Sequence, residues 1–408
     1  MVFRNYDPER DRDAVHRIWL ETNWLEKGKE ERMDVFVGST KALVAELNGE
    51  AETLVLSTPG LIHYLGQDLP AAGITGVTTS RIARKQGFAS RLTARSIAVN
   101  AAEGAQVVGL GMFDQGFYNQ LGFGTGSYDY WTKFDPAHLR VQVKARVPRR
   151  LTVEDYDMVH ASRLARKRVH GAFSFFPADM TRAEMMWTKN GFGLGYCDGP
   201  NGELTHHFWC KADGEHGPYR VIWMSYQTTV QLLELMALFK NLGDQVHVIS
   251  MVEPPGIQLQ DLLSKPFRRH HIGEKSKYET GTEAWAWWQA RICDLPGCLS
   301  HTRLEGESVR FNLKLSDPIE DFLPEDAPWR GVGGEYVVTL GHASSADLGI
   351  DPALPTLSAS VGAFTRMWLG VLPASGLAMT DDLEGPPSLI EALDRTVRLP
   401  QPRPDWDF

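Results

Sequence analysis

Residues 77–89 have the sequence VTTSRIARKQGFA, and the fold is inferred outward from this stretch. It predicts a strand that ends near Thr79, a short basic loop containing Arg84 and Lys85, and a helix that begins directly after Gly87. The free backbone N–H groups of such a helix start, with the positive end of the helix dipole, suit a pyrophosphate. Taken alone, the stretch is equally compatible with a basic turn on a solvated surface, because short glycine motifs are weak evidence.

A second motif lies downstream, where residues 116–124 have the sequence GFYNQLGFG. A predicted helix over Phe88–Ala102 and a predicted strand over Gln106–Met112 separate it from the first motif. Taken alone, its aromatic residues could be a core cluster that precedes a glycine turn. The two motifs together, at this spacing, are much less expected by chance than either one is.

The rest of the first segment predicts a mixed α/β domain. Val15, Ile18 and Trp19 are spaced along one apolar helical face, and Asn48-Gly49 is a strong hairpin turn signal between two strands. A basic link at residues 147–150 leads into a second α/β segment.

The second segment is predicted to contain a helix over Val230–Phe239 and a strand over Val246–Met251, and a third segment begins near Ala290. The alternation over Val309–Leu315 predicts a half-exposed strand. A final helix is predicted from about Leu389 to Leu399, with Ser388 as its N-cap and Glu391 completing a capping box.

Composition restricts the class of protein. The chain has 408 residues, of which 43% are hydrophobic and 23% charged, typical of a globular protein with two or three domains. With 42 Lys+Arg against 51 Asp+Glu, the formal net charge is −9, which argues against nucleic-acid or anionic-membrane partners and favours cationic small molecules. No apolar run reaches the ~18 residues of a membrane span, and the polar N-terminus lacks a signal peptide, so a cytoplasmic location is expected.

No metal site is predicted. Four cysteines do not make a disulfide framework and are expected to be buried thiols. The doublets His206-His207 and His270-His271 are poor chelators, because adjacent side chains point in different directions.

The two motifs resemble those of a known superfamily. Arg84-x-x-Gly87-x-Ala89 resembles the coenzyme A signature of the GNAT superfamily of N-acetyltransferases, and Phe117-Tyr118-x-x-x-Gly122-Phe123 resembles its later motif. The resemblance implies acetyl-CoA as co-substrate and Tyr118 as the acid that protonates the departing thiolate. It implies that the coenzyme is held by the strand end and the basic turn, at Val77, Thr79, Arg84, Lys85, Gly87, Phe88 and Ala89.

The third segment extends the resemblance over essentially the whole chain. Residues 328–331 (PWRG), 334–338 (GEYVV), 367–370 (MWLG) and 406–408 (WDF) resemble, in that order, the sterol carrier protein-like domain that ends Eis-type acetyltransferases. The resemblance implies an α/β (α+β) chain of two GNAT-like domains, active over 1–140 and degenerate over 141–289, followed by a sterol carrier protein-like domain over 290–408. It also implies a homo-hexamer.

The end of the chain is predicted to dock. Pro400, Pro402 and Pro404 stiffen the approach to Trp406 and Phe408, and a solvated tail would gain nothing from two large aromatic side chains. Docking alone could serve only to brace the third domain. In Eis-type enzymes the terminal carboxylate reaches the active site as a base, so the resemblance makes Phe408 a candidate base.

The function predicted from these features is an acetyl-CoA-dependent N-acetyltransferase. Its substrates would be primary amines of cationic molecules: an aminoglycoside, a polyamine or a lysine side chain. The alternative is a non-catalytic acyl-CoA or lipid-binding protein. Tyr118 and Phe408 favour the enzyme.

Overall fold

The computed structural model describes residues 2–266 and 276–408. Its strands are, in chain order, β1 (Val2–Asn5), β2 (Lys41–Leu47), β3 (Glu50–Tyr64), β4 (Gln67–Thr79), β5 (Val107–Gly111), β6 (Gly124–Thr125), β7 (Asp129–Phe134), β8 (Arg149–Leu151), β9 (Phe173–Phe175), β10 (Gly191–Tyr196), β11 (His206–Ala212), β12 (Tyr219–Ser225), β13 (Ile249–Val252), β14 (Gly281–Trp285), β15 (Trp288–Ile292), β16 (Val309–Ser316), β17 (Gly334–Leu340), β18 (Ser345–Leu348), β19 (Thr356–Ser360) and β20 (Leu383–Glu384).

The α-helices are interspersed among these strands, so the mixed α/β class is confirmed. They are α1 (Pro8–Glu21), α2 (Glu30–Gly38), α3 (Phe88–Ala102), α4 (Gln115–Asn119), α5 (Tyr156–Leu164), α6 (Ala178–Trp187), α7 (Thr229–Asn241), α8 (Leu295–Ser300), α9 (Val361–Trp368), α10 (Ala374–Thr380) and α11 (Pro387–Thr396). None of the helices in the described part of the chain is long and apolar enough to cross a bilayer.

The chain forms two compact units that do not follow the three consecutive segments. Unit 1 contains Met1–Ser127, Val169–Phe176 and Trp287–Phe408, and unit 2 contains Tyr128–Arg168 and Pro177–Ala286. Strand β7, expected in the first segment, pairs within unit 2. The domain limits 1–140, 141–289 and 290–408 therefore remain predictions from the sequence.

The first sheet of unit 1 has the strand order β1-β2-β3-β4-β5-β15-β6, with β9 paired to β3. The predicted hairpin at Asn48-Gly49 is confirmed, since Leu47 and Glu50 are register partners on either side of it. Strand β15 is antiparallel to β5 and lies between β5 and β6, although 164 residues separate Gln289 from Thr125 on β6 and β5 is further away still in sequence.

Strands β4 and β5 separate partway along their length. They pair in parallel from Ala71↔Val107 to Ile74↔Leu110, after which β4 continues to Thr79 without β5 beside it. Beyond Ile74, the edge of β4 that faces away from β3 has no strand partner among the described residues. The sheet therefore contains an open gap between these two strands.

Helix α3 covers one face of this sheet. Phe88, Leu92 and Ile97 pack with Ile74 and Leu110 in one core cluster. The helix occupies Phe88–Ala102, as the sequence predicts.

Unit 1 also contains a second sheet of order β18-β17-β16-β19-β20. The predicted strand over Val309–Leu315 is confirmed as β16. The predicted cap of the last helix is wrong: α11 begins at Pro387, and no side chain caps it. Proline lacks an N–H and has a preset φ, so it favours the first helical position and leaves Ser388 inside the first turn.

Unit 2 has its own sheet, of order β14-β7-β13-β12-β11-β10-β8. The predicted helix over Val230–Phe239 is confirmed as part of α7, which Thr228 and Gln231 cap as a capping box. The predicted strand near residue 250 is shorter than expected, Ile249–Val252.

Candidate active site

The basic turn before α3 is an uncapped helix start. Gly87 occupies the N-cap with φ +78°, no side chain bonds to the free N–H groups there, and the space that a β-carbon of Gly87 would enter is open to 4 Å. Arg84 and Lys85 are exposed beside it. An anion can therefore approach the first turn of α3, where Phe88 and Ala89 lie, from solvent.

Arg81, at the start of the same loop, has a different role. Its backbone N–H donates to Glu21 Oε2 at 2.8 Å, and its Nη2 donates to the backbone oxygen of Glu21 at 3.1 Å. This arginine thus connects the loop to the end of α1, while Arg84 and Lys85 are the cations that face solvent.

Val77 and Thr79 lie on the part of β4 that borders the gap. Val77 is partly buried against the α3 core, and the hydroxyl of Thr79 is 3.4 Å from that of Thr53. The backbone on the open edge of β4 can therefore accept an extended ligand as a strand would.

Tyr118 lies on α4 and belongs to the same core as α3. Its ring makes edge contacts with Phe113, Phe117 and Phe123, at centroid distances of 5.4, 4.9 and 6.1 Å. Burial raises the pKa of Tyr118, so its hydroxyl stays protonated throughout the neutral range. Among the described residues nothing hydrogen-bonds to that hydroxyl, which leaves it available to a ligand.

The C-terminal tail is docked, as the sequence predicts. Trp406 is only 3% exposed and packs edge-on against Phe175 at 5.7 Å. The backbone oxygen of Pro404 accepts from Phe173 at 2.8 Å, and the backbone N–H of Arg403 donates to His170 at 2.9 Å. Main-chain bonds on both sides of Pro404 therefore fix the path of the last residues.

The ring of Phe408 lies in a cradle floored by glycine. Gly73 on β4 and Gly109 on β5 are register partners. A β-carbon on Gly109 would lie 2.7 Å from two ring atoms of Phe408, and one on Gly73 would lie 3.1 Å from a third. The rings of Phe173 and Trp287 enclose it at 4.9 and 5.9 Å.

Tyr118 and Phe408 approach the sheet from opposite faces. Ile74 and Leu110 point into the α3 core that contains Tyr118. Gly73 and Gly109 alternate with them, so the face that Phe408 covers is the other one. Phe408 lies over Gly73 and Gly109, one register position before the pairing of β4 and β5 ends.

Sequence reasoning missed three residues that hold α4. Gln289 and Arg291 on β15 are buried and bond to Asn119 and Leu121 beside Tyr118, and the covered side chain of Asp317 pairs with Arg291. Their signal is weak, because nothing near residue 290 indicates a partner near residue 120. The cradle had a readable cue in Gly109 and Gly111, since glycines in a strand often mark a close approach.

One cluster of possible metal ligands is found in the described residues. The ligand atoms of Asp198, His206 and Glu234 lie within 4.8 Å of one another in unit 2. The guanidinium of Arg146 already pairs with both carboxylates, at 2.7 and 2.8 Å, and its hydrogen bonds lower the pKa of Glu234 to about 2. The cluster is therefore charge-compensated by an arginine. His270 and His271 lie outside the described residues.

Comparison with known proteins places these features in a class. The acetyltransferase (GNAT) domain family matches residues 9–126, which contain both motifs. No curated protein sequence matches the chain. Residues 9–126 therefore form an acetyltransferase domain of the GNAT type.

Solved structures of similar fold cover the whole chain. Eis1 from Mycobacterium abscessus has a TM-score of 0.75 at 14% identity, and each chain is covered to 100%. A probable N-acyltransferase from Enterococcus faecalis has a TM-score of 0.80 at 17% identity, over 100% of this chain and 99% of that one. A GCN5-related N-acetyltransferase from Kribbella flavida has a TM-score of 0.74 at 17% identity, with coverages of 100% and 98%. In fold, the chain is Eis-like over its full length.

Proposed function

We propose that the protein transfers the acetyl group of acetyl-CoA to primary amines of cationic substrates, namely an aminoglycoside, a polyamine or a lysine side chain. The observation that carries the proposal is the gap between β4 and β5, with Tyr118 on one face of the sheet and the end of the chain on the other. At one end of the gap lies the uncapped start of α3.

The residues of the basic turn bind the coenzyme in this proposal. The N–H groups at Gly87, Phe88 and Ala89 bond to the pyrophosphate, and Arg84 and Lys85 add opposite charge. The backbone at Val77 and Thr79 pairs with the extended arm of acetyl-CoA, whose bound thioester supplies the activated acetyl group.

Two groups move the protons. Tyr118 donates its phenolic proton to the departing thiolate, and its raised pKa keeps that proton available at neutral pH. The α-carboxylate of Phe408 takes a proton from the attacking amine through water. A C-terminal carboxyl has an ordinary pKa of about 3.3–3.7, so it is ionised at neutral pH.

A cationic substrate fits the charge around the tail. Asp405 and Asp407 are exposed on either side of Trp406, and the formal net charge of the chain is −9. The acidic chain attracts cations in general, and the two exposed carboxylates place negative charge within three residues of the end of the chain. The proposal further includes a cytoplasmic homo-hexamer without nucleic-acid or membrane partners, a degenerate second acetyltransferase domain, and a sterol carrier protein-like domain over 290–408.

The alternative, a non-catalytic acyl-CoA or lipid carrier, is less well supported. A groove of about 910 Å³ lies against the second sheet of unit 1, and its lining includes Lys314, Glu335, Asp381, Asp382 and Glu384. An acyl chain requires an apolar lining, because burying it among charged groups would desolvate them.

Thiol release from acetyl-CoA, measured across an aminoglycoside, spermidine and a lysine peptide, tests the proposal. At least one amine should release thiol, and Tyr118→Phe should lower kcat by about 10²–10⁴ without weakening substrate binding. Tyr6→Phe, which removes a phenol from the same unit outside the site, serves as the matched control. Tight acetyl-CoA binding with no thiol release for any amine would support the carrier instead.

A further inference from the structure

Strand β15 contacts the turn that carries Tyr118. It pairs with β5 from Trp288↔Gly111 to Ile292↔Val107 and with β6 at Gln289↔Thr125. Two of its side chains, those of Gln289 and Arg291, are fully buried, although both are strongly polar.

Gln289 holds the turn just after Tyr118. Its Nε2 donates to Asn119 Oδ1 at 2.6 Å and is 3.1 Å from Thr125 Oγ1. The same threonine hydroxyl accepts from Gln115 Nε2 at 2.9 Å, at the first residue of α4. Gln289 therefore bonds directly to the last residue of α4 and is linked to the first only through the hydroxyl of Thr125.

Arg291 holds the chain two residues further on. One arm of its guanidinium donates to the backbone oxygen of Leu121, and the other pairs with Asp317 Oδ2 at 2.6 Å. Leu121 is itself tied to Tyr118, because its N–H donates to the Tyr118 backbone oxygen at 2.9 Å. Asp317 is anchored in turn by the backbone N–H of Val332 at 2.9 Å.

If Gln289 and Arg291 served only to fill the core, burying their polar groups would cost free energy without a compensating gain. Gln289 Oε1 and Arg291 Nε have no hydrogen-bond partner among the described residues. Apolar side chains of similar volume often stabilise a core as well as a buried ion pair does, or better. What apolar side chains could not provide is directed bonds on both sides of Tyr118.

We propose that Gln289 and Arg291 are positioning residues that fix the hydroxyl of Tyr118 relative to the thioester. The inference rests on the proposed acid role of Tyr118. It makes the position of Tyr118 in the first sheet of unit 1 depend on β15 and Asp317, which both follow residue 287 in sequence.

Two substitutions test the proposal. Gln289→Leu removes the hold on Asn119 without leaving a buried charge unpaired. Arg291→Lys keeps a cation beside Asp317 but loses the second arm that reaches Leu121. Arg4→Lys is the matched control, since Arg4 forms a similar two-armed ion pair with Asp11 in the same unit, and its hydrogen bonds within the described residues go to Asn5, Asp11 and Glu46 rather than to α4.

Each variant is measured alone and in a Tyr118→Phe background. Alone, each should lower kcat about 10- to 100-fold with the KM for acetyl-CoA within about twofold, because small misplacements of a catalytic group are costly. In the Tyr118→Phe background the loss should shrink to less than about twofold, since the group being positioned is absent. Arg4→Lys should leave kcat unchanged.

The outcomes separate the two proposals. An equal loss of kcat in both backgrounds, or wild-type kcat in both variants, would overturn the positioning role and leave the acid role of Tyr118 intact. If Tyr118→Phe alone keeps full kcat, the acid role is wrong and the positioning role is overturned with it. If Gln289→Leu does not fold, Arg291→Lys decides the matter.

Discussion

A single methyl group on strand β5 should displace the end of the chain. In Gly109→Ala the new β-carbon would lie 2.7 Å from two carbons of the Phe408 ring and 2.8 Å from a carbon of Phe173. Carbon atoms in contact rest about 3.5–4.0 Å apart, so the Phe408 ring must retreat by about 1 Å. Its carboxylate moves with it, and a displacement of that size should lower kcat about 10²-fold.

The assay is thiol release at saturating amine, with acetyl-CoA affinity measured separately by calorimetry. Acetyl-CoA binding should persist, because Gly109 pairs with Gly73 in the part of the sheet where β4 and β5 are still joined. The basic turn follows the opposite end of β4, beyond Thr79. Gly38→Ala is the matched control, since nothing lies within 4 Å of the added β-carbon there. Wild-type turnover in Gly109→Ala would refute the idea that Phe408 must occupy this cradle for catalysis.

Three further experiments address the other features. Gly87→Glu should weaken acetyl-CoA binding severely, as measured by calorimetry, because it strains a left-handed position and places a carboxylate where the pyrophosphate would bind. Gly104→Glu, at a left-handed position after the other end of α3, is the control and should not weaken binding. Equal affinities of the two variants would exclude the phosphate role. A four-residue extension after Phe408 should abolish turnover while the melting temperature and acetyl-CoA affinity persist, and an extended protein with full kcat would remove the carboxylate from the mechanism. Burial lowers the pKa of His207 to about 3, so below about pH 6.5 the unfolded chain binds a proton that the folded chain does not. The folded state should therefore lose about 2 kcal/mol of stability by pH 5. Thermal melting of His207→Gln should show a shallower decline over that range, and an unchanged decline would contradict the lowered pKa of His207.

Local features were predictable from the sequence where a local cause determines them. Helix α3 begins after Gly87 and the hairpin turns at Asn48-Gly49, because each depends on a few adjacent residues. Trp406 docks for an equally simple reason, the burial of a large apolar ring. The start of α11 was missed because two neighbouring local signals compete there, and the proline at residue 387 prevails over the serine that follows it.

Long-range pairing was not predictable in the same way. Nothing in residues 288–292 indicates that they pair with β5 rather than with a neighbouring strand, and nothing in residues 129–134 indicates that they leave the first sheet. The basic turn before α3 and Tyr118 were candidates from the sequence because they lie in short motifs. Gln289 and Arg291 were not, because their partners are about 170 residues away.

The insertion of β15 also determines when the first sheet can be completed during synthesis. The hydrogen bond from Gln289 to Thr125 spans 164 residues, so β5 and β6 leave the ribosome long before the strand that belongs between them. Until then the edge of β5 carries unpaired main-chain groups that can recruit the wrong strand. Closing so long a loop is slow, and chains dominated by such contacts fold late and depend on protection from aggregation. A gene fragment that stops after the two motifs would encode the basic turn and Tyr118 but not the strand that completes the sheet beside them.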